Sequence, residues 1–153
     1  MAVEQHESPH TSFANGGRAS ADTFGGVGFV VEMVVVYARA RWLVLRRGAP
    51  ETAPVLRLGL HEHVSADPDG LRVLRSLLLG RAVMRVLDLM PADNRCLMRS
   101  LVLTGMLARR GVYATVVIGV QADPRFAAHA WVEVDGRPVL PTDESTFQRL
   151  VEI

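Results

Sequence analysis

"CLMRSLVLTGMLARRGVYATVVIGV", residues Cys96–Val120, decides the fold because its hydrophobic period changes partway along. Up to about Arg110 the apolar residues suit a helix, with Asp93 or Asn94 as an N-cap candidate and Gly111 beyond its end. From Tyr113 to Val120, "YATVVIGV" favours an extended strand. Further along, "QADPRF" predicts a loop and "HAWVEV", His129–Val134, a second strand. Asp135-Gly136 is a two-residue hairpin signal, after which "RPVL" returns as a third strand before Pro141 and Thr142.

Working backwards, "LRVLRSLLLGRAVMRVLDL", Leu71–Leu89, predicts an amphipathic helix with Leu71, Leu74, Leu78 and Val86 toward the core. Pro91 ends it. Pro50, Pro54 and Gly59 punctuate what is expected to be a connecting segment, and Phe24–Arg47 predicts a longer helix despite its many valines. Phe29–Ala38 is nearly all apolar. Glu32, Arg39 and Arg41 keep the longer stretch short of the roughly eighteen apolar residues that spanning a membrane requires. That helix is expected to serve as core or as a docking surface. Helices first and antiparallel strands last make an α+β fold. A tail over residues 1–23 is expected to be mobile, followed by one domain over 24–153, with a helical region at 24–90 and a helix-plus-sheet core at 91–153.

Composition adds limits. The chain has 153 residues, 49% of them hydrophobic, and a formal net charge of +1, so charge alone demands neither nucleic acid nor an acidic membrane as partner. All seventeen basic residues are arginine. The single cysteine cannot form an internal disulfide, and no basic-then-apolar leader follows Met1, so a cytoplasmic protein is expected. His6 and His10 fall in the tail. His61-Glu62-His63 lacks the i, i+4 spacing of helical zinc ligands, and no metal or cofactor is expected from it. The cluster Gly25-Gly26-Val27-Gly28 lacks a preceding strand and fits a loop or helix entry better than a dinucleotide site.

Two residues carry reactive chemistry. Cys96 falls in the first helical turn, where unpaired backbone N–H groups and the positive dipole end favour an anion. A thiolate would be stabilised there, and the same N–H groups suit the oxyanion of a tetrahedral intermediate. The alternative is a small buried hydrophobe. Strand alternation puts His129, Trp131 and Glu133 on one face, suited to a cleft wall, and Ala130, Val132 and Val134 on the other, toward the core. A helix-opening cysteine and a strand histidine form a nucleophile–base pair if the fold brings them together. Trp131 covering the sheet is the rival to its lining a cleft. For the carboxylate that would orient the imidazole, Asp143 ranks first. Continuing the hairpin register sets His129 opposite Thr142, and a bulge after Pro141 would turn Asp143 onto the histidine's face. Glu133 lies four residues farther along the same strand, roughly 13 Å by strand rise, and ranks lower. Asp135 belongs to the turn.

From "NRCLMRSLVLTGMLARRGVYATVVIGV" through "FAAHAWVEVDGRPV" the chain resembles the lasso-peptide biosynthesis leader peptidases, cysteine proteases of the transglutaminase-like, papain-related class. The resemblance implies a Cys-His-Asp triad that maps onto Cys96 and His129. Relatives carry the aspartate directly after the returning strand, where this chain has Pro141, so Asp143 is its expected replacement. The implied activity is removal of the leader from a ribosomally made precursor peptide, without metal or nucleotide. The implied partners are that precursor, a separate leader-recognition protein and an ATP-dependent macrolactam-forming cyclase. A split, peptidase-only form is expected because 1–23 is short and polar and 24–90 is helical. Acyl transfer of the transglutaminase type and a non-catalytic precursor-binding scaffold remain as alternatives.

Overall fold

The computed structural model describes residues 26–58, 69–91, 95–123, 125–140 and 147–153. Four helices precede four strands: α1 (Val27–Arg47), α2 (Ala49–Arg57), α3 (Asp69–Leu89), α4 (Cys96–Ala108), β1 (Thr115–Gln121), β2 (Ala127–Val134), β3 (Arg137–Pro138) and β4 (Gln148–Glu152). The strands make one antiparallel sheet in the order β3-β2-β1-β4. The α+β class expected from the sequence is therefore the class observed. The expected mobile tail, with His6 and His10, and the His61-Glu62-His63 stretch lie outside the described residues.

Valine content does not prevent α1, because a helix that buries a stripe gains more from packing than β-branching costs it. Phe29, Met33, Val36, Tyr37, Ala40 and Leu43 are that stripe, each three or four residues from another member. Val27, Val31, Val34, Val35, Trp42 and Leu45 remain exposed on the helix. Glu32 ties α1 to the end of α4 through Arg109 at 2.7 Å and Arg110 at 2.9 Å. Burial alone would raise the Glu32 carboxyl, but the hydrogen bonds and charges of Arg110 and Arg109 outweigh it and hold it below the usual carboxylate value. No described helix is long and apolar enough to cross a membrane.

Two expectations are corrected. The segment punctuated by prolines is a helix, α2, not a plain connection. Pro50 sits in its first turn, where a missing N–H costs nothing, and buried Thr52, Ala53 and Leu56 offset the bond lost at Pro54. Arg57 then anchors the helix by donating to the carbonyls of Ala114 and Ile153.

The helix expected at Leu71–Leu89 exists as α3, but it turns a different face inward. Leu71, Leu74 and Leu78 are 48%, 52% and 46% exposed, whereas Val73, Leu79, Val83 and Leu87 are buried. Leucines run all round this helix, so periodicity alone could not choose the face. Gly80 chooses it: a Cβ there would come within 2.6 Å of the Val139 carbonyl oxygen, so the backbone approach that closes α3 onto the hairpin requires glycine.

Central to the domain, α4 is buried from Ser100 to Ala108 and packs against α1, α2, α3 and β2. Val116, Val132 and Val134 share its core, so the apolar face of β2 points inward as expected. The hairpin pairs Val134 with Arg137, with Asp135 and Gly136 at φ 52° and 70°. Its described extent is short, ending with the Val139 N–H bonded to the Val132 carbonyl at 2.9 Å. The sequence reading missed β4, which pairs with β1 on the side away from β2. Exchanged backbone bonds between Val116 and Ile153, at 3.0 and 2.9 Å, continue that pairing.

Candidate active site

Cys96 is the first residue of α4. Its thiol is free and half-buried. Arg95 takes the cap position, with extended backbone at φ −60° and ψ 153° and no side-chain cap bond, which corrects the expectation of Asp93 or Asn94 as the capping residue. Residues 92–94 lie outside the described residues. The Arg95 carbonyl accepts the Arg99 N–H at 3.1 Å and so closes the first turn on the cysteine. Below that turn the helix is buried, which fixes its axis and with it the position of the sulfur.

On β2, His129 stands near the start of the strand, directly across from Gly119 of β1. Its ring stacks on Trp131, with centroids 6.2 Å apart and planes 18° from parallel, and leans on Phe147 at 5.3 Å. Burial lowers the imidazole below the ordinary histidine value, favouring the neutral form that can accept a proton. Cys96 and His129 line one cavity of about 320 Å³, together with Met84, Asp88, Arg99, Ala130 and Leu140. Residues separated by thirty-odd positions thus meet at one opening, between the start of α4 and the start of β2.

The other members of the histidine's face behave differently from the cleft wall expected of them. Trp131 is 1% exposed and lies over Gly119, as its covering role requires. Glu133 is buried as well. One of its oxygens accepts the Trp131 Nε1–H at 2.8 Å, and the other accepts Arg149 of β4. Glu133 is therefore committed to Trp131 and Arg149 and is not the partner of the imidazole. Asp143, the first-ranked carboxylate, lies outside the described residues, as do Pro141 and Thr142. Asp135 stays at the turn and pairs with Arg72 at 2.8 Å.

Sequence reading did not single out the rest of the cavity lining. Arg99 follows Cys96 by three residues and so shares its side of α4. It donates to Asp88 of α3 at 2.5 Å, with its other nitrogen 3.8 Å from the Met84 sulfur. Their helical spacing, Met84 to Asp88 and Cys96 to Arg99, was visible, but nothing in the sequence said that these two helix faces meet. Among the described residues no three His, Cys, Asp or Glu side chains group as metal ligands.

A helix that opens on a free cysteine, beside an antiparallel sheet that brings a histidine to the same cavity, is an arrangement suited to nucleophilic acyl chemistry. The chain matches the transglutaminase-like superfamily over residues 27–152 and belongs to it. Neither the curated proteins nor the solved structures provide a match to this chain. Membership is consistent with the cysteine peptidase or acyltransferase chemistry found in that superfamily.

Proposed function

We propose that this protein is a cysteine peptidase that removes the leader from a lasso-peptide precursor. The observation that carries the proposal is the shared cavity of Cys96, at the start of α4, and His129, on β2. In the proposed reaction the Cys96 sulfur attacks the carbonyl carbon at the leader–core junction while His129 takes the thiol proton. The oxyanion that forms is held by N–H groups of the first turn of α4. His129 gives its proton to the core's amine as the C–N bond breaks, leaving the leader as a thioester on Cys96. Water then attacks the thioester, His129 takes a proton from it, and the leader departs as a carboxylic acid with the thiol restored. Asp143 is the proposed orienter that holds the imidazole and stabilises its charged form. The precursor, a leader-recognition protein and the ATP-dependent cyclase are the proposed partners, in the cytoplasm.

Mass spectrometry of a candidate precursor, incubated with recognition protein and with wild type or Cys96→Ser, tests this reading. Wild type is expected to yield two fragments whose masses sum to the precursor plus one water, and the variant none. A precursor joined to an amine with loss of ammonia would instead establish acyl transfer. An uncut precursor, with Cys96 alkylated no faster than a model thiol, would leave a non-catalytic scaffold.

A further inference from the structure

The outer face of the sheet holds a connected set of side chains that reaches from the C-terminal strand to the cavity. Arg149 on β4 is half-exposed and donates to one oxygen of Glu133. The other oxygen holds the Trp131 indole by its N–H at 2.8 Å, and the indole stacks on His129. Phe147, just before β4, also contacts the imidazole, with ring centroids 5.3 Å apart. Gly119 makes this possible, since a Cβ there would meet the Trp131 ring at 2.9 Å and the Phe147 Cβ at 3.0 Å. The β1–β4 register shifts between Ile118 and Gly119, at the same place. Aromatic walls fix a ring's orientation without using its nitrogens, and at 5.3 and 6.2 Å both contacts lie in the range of favourable ring pairs. Among the described residues neither imidazole nitrogen is hydrogen-bonded, so both stay available for proton transfer and for an orienting carboxylate.

We infer that Arg149, Glu133 and Trp131 act as positioning residues for His129, locking the imidazole's orientation from β4 through a salt bridge, an indole N–H bond and a ring stack. The inference rests on the peptidase reading only for its kinetic consequence; the orientation itself is a property of the folded chain. A carboxylate buried in the sheet would be costly to retain for packing alone, because an apolar side chain fills the same volume without desolvating a charge. Its two specific partners give it a purpose: it holds the indole at one angle, where packing alone would let the ring slide.

Arg149→Ala is the primary test, because Arg149 is half-exposed on an outer strand and its loss spares the core. Glu133→Gln is the second variant, and Arg149→Lys the conservative control. The first measurement is the pH titration of the His129 ring by NMR, assigned against His129→Asn. Cys96 and Arg99 on α4 and Asp88 on α3 line the cavity with that ring, and Glu133 on its own strand and Arg149 on β4 connect to it through Trp131. Titrations in the Cys96→Ser background remove the thiol from this set. Arg149→Ala and Glu133→Gln are expected to move the His129 midpoint upward, toward the ordinary histidine value, as water enters beside a loosened ring. With a cleaved precursor, kcat is expected to fall about tenfold with KM within about twofold, and Arg149→Lys to recover most of the loss. If both variants titrate and turn over like wild type, the positioning role is wrong while the peptidase reading stands. If the midpoint shifts but no precursor is cut even by wild type, the positioning role stands and the peptidase reading fails.

Discussion

The two faces of the central sheet teach different things. Toward α4, β1 and β2 present Val116, Val132 and Val134, which merge with helical leucines and methionines into one core. On the opposite face, β2 presents His129, Trp131 and Glu133, joined by Phe147 and by Arg149 of β4. The inner face is apolar and its members are exchangeable by volume. The outer face is built of specific donors, acceptors and ring planes, where a change of chemistry at constant volume matters. Stability is concentrated on the first face and, on the proposed reading, the orientation of His129 on the second, and this division can be broken experimentally at either side.

The largest expected effect is on chemistry alone. Cys96→Ala and His129→Ala should each lower precursor cleavage by about 10³-fold or more while the unfolding midpoint stays close to wild type, since both side chains are only half-buried. Cleavage assays beside thermal melts check this, and a comparable loss of stability would erase the division between the faces. On the core side, Leu103→Ala in α4, fully buried, should destabilise the fold by about 3 kcal/mol in denaturant titration. Between the two, Gly119→Ala forces a Cβ into Trp131 and Phe147 and should cost about 1–3 kcal/mol, together with a loss of kcat larger than the stability change explains.

pH sharpens the comparison further. Because burial holds the folded His129 imidazole below its ordinary value of about 6.5, the unfolded chain takes up this proton first as pH falls. The stability contributed by keeping it neutral is present above about 6.5 and is lost as pH drops toward the folded midpoint. The acid limb of kcat/KM should accordingly fall below pH 6.5, and His129→Asn should flatten that part of the stability profile. The smallest effect is expected at the turn. Asp135→Asn removes the exposed pair with Arg72, keeps a residue type tolerant of positive φ, and should change stability by under about 1 kcal/mol.

How legible each part was in the sequence follows from how local its cause is. The switch from helix to strand after Gly111, the hairpin at Asp135-Gly136 and the inward face of β2 rest on period and turn chemistry within a few residues, and they stand in the structure. The face of α3 was misread because leucines surround that helix, and the choice was made by Gly80 meeting the Val139 carbonyl, some sixty residues away. The proline-containing segment was read as a connection because its helix depends on burying Thr52, Ala53 and Leu56 against other elements. β4 is short and exposed, with little alternation of its own, and exists because β1 offers it an edge. Glu133 shared the histidine's face in the sequence as in the structure, yet only the approach of Arg149 shows that its oxygens are taken.

The sequence by itself determined the α+β order of elements and singled out a cysteine at a helix start and a histidine on a strand, because helical and strand periods are written residue by residue. The tertiary structure decided that Cys96 and His129 share one cavity, that Met84, Asp88 and Arg99 complete its wall, and that Trp131 stands between Glu133 and the imidazole. Those are facts about which surfaces meet, and they depend on the packing of elements distant in the chain, which no local pattern encodes.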